Sequence, residues 1–121
     1  MNDDKSDKIL KNTVAQMRKG VLELCILSTI ADQEQVYGKY IIDKLKESKM
    51  LVAEGTIYPL LTRLKNTGLL EYQWKESESG PPRKYYKITD QGREVLAGLF
   101  QTWNQLVHAV DQSTKNIINN E

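Results

Sequence analysis

The sequence is poor in the residues that hold small folds together by covalent or metal bonds, with one cysteine and one histidine among 121 residues. A lone cysteine, Cys25, excludes an intramolecular disulfide bond, and its apolar neighbours predict a buried, inert thiol. His108 has no nearby aspartate, cysteine or second histidine, so we expect a half-exposed helix residue. Neither a metal site nor a cofactor is therefore expected.

Long apolar runs and catalytic patterns are also lacking. No stretch approaches the roughly 18 apolar residues that cross a bilayer, and residues 1–5 lack the basic start and apolar core of a signal peptide. We expect no membrane partner, and the simplest predicted location is the cytoplasm. There is no Ser-His-Asp or Cys-His arrangement, no phosphate-binding glycine loop and no paired-carboxylate motif, so an enzyme is not predicted.

Net charge is nearly absent too, at +1, but the charges are unevenly distributed. Residues 54–93 carry seven basic and five acidic side chains, whereas residues 94–121 carry one basic and three acidic side chains. The positive excess lies in the middle of the chain. It is a weak signal alone, because solvated faces often carry as much.

Hydrophobic spacing predicts a mostly α fold with a small β-hairpin: a winged helix-turn-helix followed by a long dimerisation helix. Apolar residues recur at spacings of three and four on two faces of the first helix. One face fits the domain core, and the other fits a second subunit. We predict a disordered tail at 1–6, a DNA-binding domain at 7–88 and a dimerisation helix at 89–121. The predicted domain has helices at 7–31, 38–48 and 54–67, strands at 69–75 and 83–88, and a turn at 76–82.

The third predicted helix has an apolar side and a small, polar side, as a helix that approaches base edges requires. The returning strand begins with two cations, which suit contact with phosphates. A small helix beside a basic hairpin is the arrangement by which a winged helix binds duplex DNA. The predicted DNA-binding residues are Lys39, Gly55, Thr56, Tyr58, Pro59, Thr62, Arg63, Asn66, Arg83, Lys84 and Tyr85.

The last predicted helix carries an apolar stripe at heptad spacing that the domain's own core cannot cover along its whole length. A homodimer is the simplest way to bury that stripe, with the exposed face of the first helix contributing. Its predicted interface residues are Val14, Met17, Leu96, Leu99, Trp103, Leu106 and Val110.

Two motifs resemble the PadR family of bacterial transcriptional regulators. They are Glu54-Gly55-Thr56-Ile57-Tyr58-Pro59-Leu60-Leu61 and, further along, Gly80-Pro81-Pro82-Arg83-Lys84-Tyr85-Tyr86-Lys87-Ile88-Thr89-Asp90-Gln91-Gly92. Tyr37-Gly38, Arg63-Leu64 and Gly68-Leu69 add to the resemblance, which covers about residues 18–112. Ala53 departs from it, because relatives often carry a Ser or Asn there that can cap the third helix.

The resemblance implies a winged helix, a homodimer formed by the first and last helices, and repression of genes for stress or drug response. The two-fold symmetry of a dimer predicts a pseudo-palindromic operator. Some members of the family release DNA when a small aromatic or drug-like compound binds. A matching aromatic position on the last helix implies a hydrophobic effector at Phe100 and Trp103. Trp103 equally fits a purely structural place in the dimer core.

Two other functions remain open at the level of sequence. A winged helix can serve protein contact without DNA, although the third helix lacks the large apolar patch that would favour this alternative. A protein that sequesters drugs would account for the long apolar stripe but not for the basic hairpin.

Overall fold

The computed structural model describes residues 3–50 and 52–119, and the side chains among residues 4–117 of those ranges. Met1, Asn2, Asn120 and Glu121, which belong to the predicted tail and last helix, lie outside the described residues. The elements in chain order are α1 (Asp3–Ala31), β1 (Val36–Tyr37), α2 (Gly38–Glu47), α3 (Glu54–Asn66), β2 (Leu70–Ser77), β3 (Gly80–Ile88) and α4 (Asp90–Asn119).

The first helix begins earlier than predicted. Helix α1 is already formed at Asp3, so the predicted disorder over residues 1–6 is wrong from that residue onward. Its polar start contains no glycine or proline that would interrupt a helix, and Lys5 and Lys8 are good helix formers. Polarity alone therefore did not distinguish an exposed helix from a disordered tail.

The two apolar faces of α1 have different environments. Leu22, Ile26 and Ile30 are fully buried in the core, whereas Leu10 and Met17 on the other face are 60% and 71% exposed. The core thus uses one face of the second half of α1. On the other face, Leu24 and Ser28 lie beside α4, and the residues of that face before them are left largely exposed.

The sheet has three strands in the order β1-β3-β2, all antiparallel. The prediction missed β1, which is too short to show any alternation and is formed by the pairing of Val36 with Tyr86 and Tyr37 with Tyr85. The hairpin β2–β3, called the wing below, is longer than predicted. Its turn comprises only residues 78–79. The strand register shifts between Lys75 and Ser77, opposite the two prolines of β3. Proline has no backbone N–H to donate to the ladder, and a bulge at this point tolerates that loss.

The hydrophobic core lies between α1, α2, α3 and the sheet. Helix α2 buries one side, and the predicted apolar side of α3 is buried except for half-buried Leu60. The mostly α fold with a small sheet and a long last helix is confirmed. The buried core residues are Leu22, Ile26, Leu27, Ile30, Val36, Ile41, Ile42, Leu45, Ile57, Leu61, Leu64, Leu70, Tyr86 and Ile88.

A compact corner joins the end of α3 to the start of α4. Gly68 has a φ of +86°, a left-handed conformation that ends helix α3. The Thr89 hydroxyl donates to the Gly68 carbonyl at 2.7 Å and accepts from the Gly92 amide at 2.9 Å, so Thr89 is the N-cap of α4. A methyl group on Gly92 would collide with the Leu69 carbonyl oxygen, so this corner requires glycine.

Candidate nucleic-acid interface

Helix α3 presents small and polar residues to solvent, as predicted. Gly55, Pro59, Thr62 and Asn66 are all exposed. Pro59 lies in the sixth position of the helix, and α3 continues through it to Asn66 because only an early backbone hydrogen bond is lost. No side chain caps the first turn, since the residue before it is an alanine.

Tyr58 packs against the beginning of α2. A methyl group built on Gly38 would lie 2.8 Å from Cε1 of the Tyr58 ring, so the close approach of α3 to α2 depends on this glycine. The Tyr58 ring remains 47% exposed, and Lys39 follows Gly38 on the solvent side. Gly38 and the tyrosine of α3 therefore form one contact.

The wing turns one face towards α3. Tyr72 pairs with Tyr86 and Trp74 pairs with Lys84 across the strands, so these four side chains share that face. The ammonium group of Lys84 lies 4.6 Å from the centre of the Tyr72 ring and 5.4 Å from that of Trp74. The rings hold the cation in place while the indole remains 61% exposed.

A cleft of about 450 Å³ opens between α3, the start of α2 and the wing. It brings together five of the predicted DNA-binding residues, and the described lining contains three cations and no carboxylate. A smaller hollow of about 140 Å³ beside it adds Lys65 and the predicted Asn66. The cleft is lined by Tyr37, Gly38, Lys39, Tyr58, Thr62, Trp74, Arg83, Lys84 and Tyr86.

Charge and polarity in the cleft favour an anionic, partly apolar ligand. Arg83 stacks over the Tyr37 ring at 4.6 Å, and Lys39 lies 3.8 Å from Asp43, one turn along α2. Burial raises the pKa of the Tyr86 hydroxyl, with smaller contributions from Tyr72 and Tyr58, so Tyr86 stays neutral beside the cations. A sugar-phosphate backbone combines these properties.

The structure separates some predicted residues from this cleft. Arg63 points towards α1, where its Nη1 lies 2.8 Å from Oε1 of Glu23. Tyr85 lines a separate hollow of the wing, together with Gln73 and Lys87. Gly55, Thr56 and Pro59 lie near the start of α3 and line neither hollow.

Six residues that line the cleft or the hollow beside it were not among the predicted DNA-binding residues: Tyr37, Gly38, Lys65, Tyr72, Trp74 and Tyr86. The alternation of β2 placed Trp74 on one face of a strand but did not say which face meets α3. Lys65 was predicted only as part of a helix, although its ammonium group lies 5.6 Å from the centre of the Tyr72 ring. Lys65 and Trp74 are identified by their neighbours in the folded chain rather than by a sequence motif.

The predicted dimer and effector residues lie along α1 and α4 with different exposures. Leu96 and Leu99 pack against the core and Val14 is half-buried, whereas Leu106 and Val110 are 53% and 57% exposed. The predicted stripe therefore starts in the core and then leaves it. Phe100, at 57% exposed, lines a groove between the two helices, while Trp103, at 39%, lies one turn beyond it. Arg93, Leu24, Ser28, Leu96 and Ala97 complete the groove, which measures about 510 Å³.

Three helices, a basic hairpin and a cleft between them define a winged helix-turn-helix domain with a long C-terminal helix. The chain belongs to the PadR-like family of transcriptional regulators, whose family model matches residues 26–98. The resemblance inferred from the sequence motifs is thereby confirmed. Among the described residues, no helix is long and apolar enough to span a membrane. Within those residues there is also no group of three or more His, Cys, Asp or Glu that could hold a metal ion.

Solved structures agree with this assignment. The chain is 51% identical to a PadR-like transcription factor from Bacteroides fragilis, covering 84% of this chain and 97% of that one, with a TM-score of 0.69. It is 33% identical to a PadR family transcriptional regulator from Eggerthella lenta, covering 89% and 94%, with a TM-score of 0.81. PadR of Bacillus subtilis, solved in complex with operator DNA, shares the fold at 24% identity and a TM-score of 0.61, over 66% of this chain and 45% of that one.

Proposed function

We propose that this regulator binds a specific duplex DNA sequence as a homodimer and represses transcription from it. The observation that carries the proposal is the cleft in which Lys39, Arg83 and Lys84 converge beside the exposed side of α3. The described cleft lining has no carboxylate, and of its three cations only Lys39 forms an ion pair within the described residues, with Asp43 outside the lining. Such a surface suits phosphates, and the adjoining helix is narrow enough to enter the major groove.

Sequence would be read by α3. Thr62 and Asn66 are exposed on the same side of the helix, and Gly55 and Pro59 keep its first turns free of bulk. Amide and hydroxyl groups can bond base edges, whereas large side chains would hold the helix away. Asn66 and Thr62 are thus the residues whose replacement should alter sequence preference.

The wing would position the protein on the phosphates. Lys84 and Arg83 lie within strand β3, whereas Glu78 in the turn and Glu76 at the end of β2 are both exposed. Phosphates repel an acidic turn, so strand β3 rather than the turn makes the phosphate contacts. Trp74, exposed beside Lys84, adds an apolar surface that fits a deoxyribose.

Assembly follows from the apolar residues left exposed on the terminal helices. Leu106, Val110 and Met17 are more than half exposed in the single chain, as are other apolar residues of α1 and α4. A contiguous apolar stripe of this kind is a usual mark of an interface. Two-fold symmetry then implies a pseudo-palindromic operator with half-sites roughly 34 Å apart.

Repression and its release rest on family resemblance and on the α1–α4 groove. An effector must bind one arrangement of the dimer better than the other, and the helices that hold the dimer set the separation of the two α3 helices. Phe100 lines the groove and Trp103 follows it on α4. A small, planar, hydrophobic compound is the effector that these two rings fit.

The DNA proposal is tested by selection of duplexes from a randomised pool, followed by gel shift with the selected duplex and with random competitor. We expect one partly palindromic sequence to be enriched, and the selected duplex to bind at least about 1000-fold more tightly than random duplex, as specific binders do. Equal affinity for both at moderate salt would refute the proposal. A shift with one monomer per duplex would refute the dimer.

The effector proposal is tested by fluorescence in a Trp74→Phe variant, which leaves Trp103 as the sole tryptophan. Planar aromatic compounds should quench Trp103 and weaken binding to the selected duplex at the same concentrations. Quenching without loss of affinity would leave Trp103 with a structural place in the dimer only.

A further inference from the structure

An ion pair connects the DNA-facing helix to the first helix. The Nη1 atom of Arg63 lies 2.8 Å from Oε1 of Glu23, and this is the shortest ion pair among the described residues. Within the described part of the chain it is also the one pair that joins α3 to α1. The Glu23 side chain is 28% exposed and the Arg63 side chain is 64% exposed, so the carboxylate is the less solvated partner.

We propose that Arg63 is a positioning residue rather than a DNA contact: through Glu23 it sets the orientation of α3 against α1 and thereby the sequence preference. The inference rests on the proposed function, in that α3 is taken to enter the groove. A guanidinium bound to a carboxylate is partly neutralised, so it is a poor phosphate ligand while the pair persists.

The pair supplements a second connection at the end of the same helix. The Thr89 hydroxyl, at the start of α4, donates to Gly68 just after α3. Helix α3 is therefore attached to α4 at its end and to α1 near its last turn. Glu23 adjoins Leu24, which lines the α1–α4 groove. A shift of α1 against α4 would thus change the orientation of α3 through this pair.

Two glutamate-to-glutamine substitutions separate the effect of the ion pair on the orientation of α3 from the effect of removing one negative charge. Glu23→Gln breaks the pair, and Glu47→Gln removes the same charge from the Lys44–Glu47 pair, which lies within α2 at 3.3 Å. We expect Glu23→Gln to lower the preference for the selected duplex over random duplex by about fivefold, the upper range for an exposed ion pair. Glu47→Gln should leave that preference unchanged, and neither variant should change the salt slope.

The arginine variants distinguish positioning from phosphate contact. Arg63→Gln should lower the preference as much as Glu23→Gln does, and the double variant should be no worse than either single one. Exchanging the charges, with Glu23→Arg and Arg63→Glu together, should restore part of the preference. A salt slope reduced by about one unit in Arg63→Gln, with Glu23→Gln binding as well as the wild type, would overturn the proposal.

Amide hydrogen exchange tests the connection without DNA. Residues 62–66 should exchange about fivefold faster in Glu23→Gln and in Arg63→Gln, consistent with the loss of an exposed ion pair. Glu47→Gln should match the wild type. Equal rates in all four proteins would overturn the proposal. A wild-type protein that prefers no duplex would instead refute the proposed function, and the exchange rates would still decide whether the pair positions α3.

Discussion

The middle of the chain and its ends use apolar residues in opposite ways. The body, residues 21–99, contains all 14 buried core residues, and Leu61 within it is fully buried. The terminal segments, residues 4–20 and 100–117, contain no buried residue, and Leu106 is 53% exposed. Both regions are largely helical, so secondary structure does not explain the difference.

The difference indicates where each task of the protein lies. The body holds the buried core and the cleft, so the proposed DNA contact falls on it. The terminal segments carry apolar residues at regular helical spacing, which single exposed residues of ordinary surfaces do not show. In the proposed homodimer, a second copy of the chain would cover these residues with the same stripe.

The largest effect should come from a single methyl group in the body. Gly92→Ala would press against the Leu69 carbonyl and place the new methyl 2.7 Å from Cγ1 of Ile88, so the corner between β3 and α4 must open. We expect a loss of about 3 kcal/mol or more in the free energy of unfolding, measured by chemical denaturation. Wild-type stability would mean that α4 is not fixed to the body at this corner.

A charge in the terminal segment should separate assembly from folding. Leu106→Asp places a carboxylate in the proposed interface, which costs several kcal/mol when the charge is unpaired. We expect a folded monomer by circular dichroism and sedimentation, with weak operator binding. Asn104→Asp adds the same charge on the opposite side of α4 and should remain dimeric.

Two results would break the comparison between the regions. An intact dimer of the Leu106→Asp variant would show that the stripe packs elsewhere. An unfolded variant, beside a folded Asn104→Asp control, would show that the body depends on the dimer and does not fold independently.

A third variant should affect DNA binding without affecting assembly. Lys84→Gln removes a cation from the wing face that meets α3, and Lys87→Gln removes one from the opposite face, where Lys87 is exposed. The first should weaken binding to every duplex and lower the salt slope by about one unit. The second should do neither. Both variants should sediment like the wild type. Equal losses of DNA affinity in the two variants would show that the wing does not approach DNA by the face that carries Lys84.

Much of the body could be predicted from sequence because its signals are local. The spacing of apolar residues and Gly68 located α3 to within one residue of its observed end at Asn66. The strand β1 could not be predicted, because two residues show no periodicity and the strand exists only through its pairing with β3. Local signals also failed at the start of α1, where a polar helix and a polar tail look alike.

Part of the cleft could be predicted because the signals for that part are also local in sequence. A helical wheel identifies the exposed side of α3, and it places Arg63 on the flank, where both DNA and α1 are within reach. The partner that decides between them, Glu23, is distant in sequence and belongs to another helix. Trp74 and Lys65 were missed because strand alternation defines two faces without saying which one packs on a neighbouring helix.

The smallest effect should come from Gly98→Ala, which is a glycine-to-alanine substitution like Gly92→Ala but lies further along α4. A methyl group on Gly98 meets no atom within 4 Å, and Gly98 is exposed. Alanine removes the cost of glycine in a helix interior, so Gly98→Ala should stabilise the chain by about 0.5–1 kcal/mol, opposite in sign to Gly92→Ala. Chemical denaturation at two protein concentrations measures this change in the free energy of unfolding and shows whether it depends on dimerisation. A loss of stability that grows with protein concentration would place Gly98 against the partner subunit, and the proposed interface would then extend beyond the stripe of Leu99, Leu106 and Val110.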